Sequence, residues 1–127
     1  MTNVDLNKYA KKLGINNYRG TFTKDLLPEK PRKSESGIVN LEDSSGSGTH
    51  WTCYYRRGPN CNFYFDSFGL KPPEEIKIYL GGHFITNHRQ IQSPEEILCG
   101  QYSLYVLRQL FEGENFFQII NKLKAIK

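Results

Sequence analysis

A chain of 127 residues, 38% hydrophobic and 13% aromatic, is long enough to bury roughly two thirds of its unfolded surface in one core and too apolar for a disordered tail. No apolar run approaches the ~20 residues of a membrane span, the opening Met1-Thr2-Asn3-Val4-Asp5 lacks the form of a secretory signal, and three cysteines without CxxC spacing argue against a disulfide framework and a zinc ribbon. The net charge of +4 is scattered (Lys11-Lys12, Arg32-Lys33, Arg56-Arg57 and the Lys122, Lys124, Lys127 tail), which reads as a solvated surface or as a general attraction to nucleic acid.

The elements follow in chain order. Val4 to Leu13 carries Leu6, Tyr9, Ala10 and Leu13 at the spacing of an amphipathic helix, with Gly14 placed to end it. Leu27 to Arg32 is extended and irregular, because each proline disfavours helix for the residue before it. Gly37 to Leu41 reads as a short buried strand, and Ser44-Ser45-Gly46-Ser47-Gly48 as a flexible loop running into His50.

Trp51 to Tyr55 and Cys61 to Phe65 are aromatic runs around Arg56-Arg57-Gly58-Pro59-Asn60, the pattern of a hairpin. With its turn centred on Gly58, His50 lies opposite Asp66 and Thr52 opposite Tyr64. The other face pairs Trp51 with Phe65, Cys53 with Phe63 and Tyr55 with Cys61, a surface suited to the core. That register sets Cys53 diagonal to Cys61 and disfavours a disulfide between them. Glu74 to Leu80 reads as a short helix ended by Gly81-Gly82. Phe84 to Thr86 and Arg89 to Gln92 read as a strand or two. The segment from Cys99 to Phe111 is apolar nearly all round and belongs in the middle of the domain, capped by Gly113. Phe116, Phe117, Ile120 and Leu123 suggest a last amphipathic helix. No linker or repeat divides the chain, so residues 1–127 form one domain.

Four residues combine into a reaction. A thiol attacks a carbonyl as thiolate, which requires a base, a group to orient the base and a donor for the oxyanion. Cys99, in the first turn of a buried helix, would feel the positive end of the helix dipole, although a free cysteine is also a common core residue. Gly100 beside it would let substrate backbone approach. His50 at a strand start is a base candidate or an ordinary structural histidine. Asp66 either holds that imidazole or caps the turn Ser67-Phe68-Gly69, and Gln92 either donates to an oxyanion or is a plain surface amide. Each signal is weak alone; the four in order point to nucleophilic catalysis. His50, His83 and His88 lack ligand spacing to the cysteines, so no metal is expected.

Gly48-Thr49-His50-Trp51, Phe65-Asp66-Ser67-Phe68-Gly69, Gln92 and Cys99-Gly100 resemble the adenovirus maturation proteases (adenains) and, at greater distance, the SUMO-protease type of cysteine peptidase, whose triad also runs His, Asp or Glu, Cys. Lys11-Lys12-Leu13-Gly14, Tyr18-Arg19-Gly20-Thr21-Phe22 and Gly37-Ile38-Val39-Asn40 are similar to N-terminal segments of adenains, so the resemblance runs from Leu6 to Phe111. It implies an α+β fold of papain-like, SUMO-protease type, with a central, mostly antiparallel sheet and the nucleophile at the N-terminus of a buried helix. It also implies a thiol endopeptidase that cleaves viral precursor proteins during particle maturation. His50 takes the base role, Asp66 the orienting role, Gln92 the oxyanion role and Cys99 the nucleophile role.

The departures set further expectations. Adenains usually carry glutamate where Asp66 stands. With no cysteine between Cys61 and Cys99, a disulfide-linked peptide cofactor is not expected. The extra C-terminal helices of adenains are absent, which suggests a minimal relative from a small DNA virus or a virus-derived mobile element. The residues themselves require no cofactor, and DNA or a peptide activator stays open. The expected partners are protein substrates and non-specific DNA, with no membrane. The chain is expected as a monomer in the host nucleus or cytoplasm and in the virion, not secreted. Two rivals remain: an isopeptidase acting on ubiquitin-like tails, and an inactive protease-fold module that binds DNA or a capsid protein.

Overall fold

A computed structural model describes residues 1–42, 50–92 and 98–126. Helix α1 (Asn3–Lys12) starts on a capping box: the Asp5 N–H donates to Thr2 Oγ1 at 3.2 Å and the Thr2 N–H to Asp5 Oδ2 at 3.1 Å. Its buried stripe is narrower than the spacing implies. Leu6 and Ala10 are inside, while Tyr9 and Leu13 are exposed. Strand β1 (Tyr18–Thr23) follows, then a 3₁₀ turn (Lys24–Leu26), an irregular stretch and β2 (Glu35–Asn40). Strands β3 (Trp51–Gly58) and β4 (Cys61–Phe65) form the hairpin. Helix α2 (Glu74–Tyr79), the two-residue β5 (Ile85–Thr86), α3 (Cys99–Phe111) and α4 (Phe116–Ile126) complete the chain. The Ser44–Gly48 loop and Thr49 lie outside the described residues.

The sheet runs β1-β2-β3-β4-β5. The three central strands are antiparallel, and each edge strand joins its neighbour parallel. One face packs Ile38, Trp51, Cys53, Tyr55, Phe63 and Phe65 against α1, α3 and α4. The other packs Val39, Tyr54 and Tyr64 against Ile76 and Tyr79 of α2 and Leu80 just after it. Layers on both faces explain why Trp51 to Tyr55 and Phe63 to Phe65 are apolar without alternation. The second layer also holds a buried carboxylate: Glu35 accepts from Arg19 Nη1 at 3.0 Å, Tyr54 OH at 2.6 Å and Tyr79 OH at 2.9 Å. No described helix is long and apolar enough to cross a membrane.

The hairpin differs from the expected register by two residues. Cys53 pairs with Phe65, Tyr54 with Tyr64 and Tyr55 with Phe63, and an irregularity between Arg56 and Gly58 lets Gly58 pair with Cys61. The shift is even, so each side chain keeps its face, and the core face is the one read from the sequence. Cys61 leaves that face and is exposed, far along the strand from Cys53, and all three cysteines are free. Residues 89–92 are not a strand. They are held instead by two main-chain bonds, from the Ile91 and Gln92 N–H groups to the Ser67 carbonyl at 2.8 and 2.9 Å. In α4, Phe117 is exposed and Ile119 takes the buried place.

Candidate active site

Cys99 is the first residue of α3, and Leu98 before it supplies no side-chain cap. The helix start therefore points N–H groups and a partial positive charge toward the sulfur. The main-chain N–H of Trp51, at the start of β3, donates to Cys99 Sγ at 3.4 Å. Strand β3 and helix α3 thus meet at the thiol. Gly100 does not open a path for substrate. A Cβ there would sit 3.3 Å from Leu6 and Met1 side-chain atoms and 3.6 Å from Trp51, so the glycine admits α1 and the indole against α3.

His50 precedes β3, and its Nε2–H donates to Asp66 Oδ1 at 2.8 Å. The β3–β4 ladder ends with Cys53 opposite Phe65, and His50 and Asp66 lie just beyond it, within reach of a side-chain bond. With Nε2 taken by Asp66, Nδ1 is the ring nitrogen left to face Cys99, whose influence is felt in the titration of the imidazole. Burial disfavours the imidazolium, but the bonds to Asp66 and to Cys99 outweigh it and raise the His50 pKa to about 9. Burial likewise disfavours the thiolate, yet the His50 bond and the Trp51 and Gly100 N–H groups bring the Cys99 pKa below its usual value. The two shifts run in opposite directions, the sense that favours a thiolate beside an imidazolium.

The turn after β4 carries the supporting contacts. Asp66 is fully buried, and its Oδ1 also accepts the Phe68 N–H at 2.8 Å. The Phe68 ring stacks on the imidazole with centroids 4.7 Å apart and planes at 28°. Ser67 Oγ donates to Gln92 Oε1 at 2.7 Å, so the amide is buried and anchored rather than on the surface. Asn87 brackets the Asp66 backbone: its Oδ1 accepts the Asp66 N–H at 3.1 Å, and its Nδ2 donates to the Asp66 carbonyl at 2.7 Å. Asn87 carried no chemical signal in the sequence, and Phe68 stood in the block Phe65 to Gly69 with no role of its own. Ser67 stood in a recognisable block, but its partner 25 residues on could not be read. Among the described residues no cluster of His, Cys, Asp or Glu could hold a metal ion.

Gly69 closes this turn at φ +73, with its N–H on the Asp66 carbonyl at 2.8 Å. A Cβ there would lie 2.8–2.9 Å from the backbone of Arg89 and Gln90. Gly81 has the same φ with nothing nearby. Gly81→Ala is expected to cost about 1 kcal/mol for the left-handed backbone alone, and Gly69→Ala about 2–4 kcal/mol. Chemical denaturation of the two variants measures the difference.

No protein-family model matches the chain, and no curated protein does. Solved structures match. A crystal structure of the ASFV pS273R protease superposes with a TM-score of 0.68 at 16% identity, over 94% of this chain and 60% of that one. A selenomethionine crystal structure of the same protease gives 0.56 at 22% identity, over 72% of this chain and 39% of that one. The chain therefore spans less than two thirds of the length of these structures. At such identities the likeness establishes the fold, an α+β core of the SUMO-protease type, and does not distinguish adenains within it.

Proposed function

We propose that the chain is a cysteine endopeptidase in which Cys99 is the nucleophile, His50 the acid and base, Asp66 the group that orients it and Gln92 an oxyanion donor. The observation that carries this reading is a helix-start thiol whose pKa is lowered beside an imidazole fixed at 2.8 Å on a buried carboxylate. The Cys99 thiolate attacks the peptide carbonyl carbon and the carbonyl electrons move to oxygen. The Cys99 N–H and the Gln92 side-chain amide hold that oxyanion. The His50 imidazolium gives its proton to the leaving amine as the C–N bond breaks, leaving a thioester and a neutral ring. His50 then takes a proton from water, the hydroxide adds to the thioester, and the thiolate leaves to re-form the pair.

Precursor polypeptides of a virus or virus-derived element fit as substrates, supported by the fold shared with a viral protease. The test sets a precursor protein beside a ubiquitin-like protein carrying a C-terminal electrophile, and locates the modified residue by mass spectrometry. Cleavage of the precursor with trapping at Cys99 is the expected result. Preference for the ubiquitin-like reagent would overturn the substrate class, and modification only elsewhere would overturn the nucleophile.

A further inference from the structure

We infer that Phe68 is a positioning residue that fixes the plane of the His50 ring; the inference rests on the peptidase reading. A single hydrogen bond from Nε2 to Asp66 Oδ1 holds one edge of the imidazole but leaves the ring free to pivot about that bond. Any pivot would swing Nδ1 away from the sulfur. The Phe68 ring lies across the imidazole at 4.7 Å and 28°, within the range of aromatic packing, and blocks the pivot. The same residue's main-chain N–H shares Asp66 Oδ1 with the histidine, so one residue constrains both the carboxylate oxygen and the ring that donates to it. The aromatic face also favours the imidazolium over the neutral ring. The other charged groups facing His50 among the described residues are the Asp66 carboxylate and the Cys99 thiolate.

The geometry arises from the hairpin. Strand β4 ends at Phe65, and the chain then turns through Asp66 to Gly69, which brings Phe68 back over the residue that precedes β3. Tight turning at Gly69 then carries the chain away, leaving Phe68 half-buried against the ring.

The experiment compares Phe68→Leu and Phe68→Met, which keep the main-chain N–H and much of the volume but lack an aromatic face, with Phe68→Tyr. Peptide hydrolysis and the pH dependence of Cys99 alkylation are read on the folded proteins. Either non-aromatic variant is expected to lower kcat about tenfold with KM little changed, because misplacing the base costs the transition state rather than binding. It is also expected to move the His50 inflection below the wild-type position. Phe68→Tyr restores both. Wild-type kcat and an unmoved inflection in a folded Leu or Met variant would overturn the inference. A wild-type Cys99 that alkylates like a free thiol would instead overturn the peptidase reading beneath it.

Discussion

Cys99→Ala abolishes peptide hydrolysis and electrophile labelling while leaving the fold in place. The expected loss in kcat is of the order of 10⁵–10⁶, since removing a nucleophile removes the covalent route, and the residual rate comes from binding and oxyanion contacts alone. The side chain is small and buried, so truncation to alanine deletes one sulfur from the edge of α3 and leaves the apolar body of that helix intact. The thiolate is one of the two groups that support the His50 imidazolium, so the variant should also lower the His50 pKa from about 9. Imidazole proton chemical shifts followed against pH would read that change. Labelling that persists in Cys99→Ala, at Cys53 or Cys61, would mean that the reactive thiol had been misassigned.

Asp66→Asn is expected to lower kcat by roughly 10²–10³ with little change in KM. An asparagine oxygen can still accept from His50 and from the Phe68 N–H, so the turn survives, but the charge that stabilises the imidazolium is gone. The other carboxylate oxygen, Oδ2, is buried and meets no hydrogen-bond partner among the described residues. An amide NH₂ in that place would be a buried donor without an acceptor, costing about 1–3 kcal/mol in stability. The penalty in rate is expected to be smaller than in a serine triad, because the helix start and the Trp51 N–H also hold the sulfur as thiolate. Equal losses in kcat and in substrate affinity would contradict an orienting role.

The part of the fold legible in the sequence is the part written in long, regular patterns. The helix from Cys99 to Phe111 was readable because its apolar residues give it a broad buried face, which leaves only Gln101 exposed and Arg108 and Gln109 half-buried on the other side, and Gly81-Gly82 marks the end of α2 with two positive φ values. The aromatic runs around Gly58 announced the hairpin, but its turn sits on Pro59-Asn60 rather than on Gly58, and with the irregularity between Arg56 and Gly58 the pairing is displaced by two, a backbone detail that no side-chain pattern encodes. Because strand faces repeat every second residue, the displaced register kept His50, Thr52 and Asp66 on one side. Strand β1 went unread: Tyr18 to Thr23 is half-buried throughout and includes Arg19 and Gly20, so it lacks both alternation and a continuous apolar run.

At the candidate site, the four chemical residues could be read by type and order, whereas their supports could not. Phe68 stands in the block Phe65 to Gly69, but only the turn after β4 shows that its ring stacks on His50. Asn87 lies in a stretch without pattern and acts through the Asp66 main chain. Gly100 suggested room for substrate, and only the packing of α1 and Trp51 against α3 shows what its missing side chain admits.

The pH dependence of Cys99 alkylation, followed by mass spectrometry beside a small free thiol, tests the ion pair most directly. The pair exists between the lowered Cys99 pKa and the raised His50 pKa, so alkylation should rise at lower pH than for the free thiol and show a second inflection near 9 as the ring loses its proton. A single inflection near ~8.5, coincident with the free thiol, would show an ordinary cysteine with no imidazolium beside it.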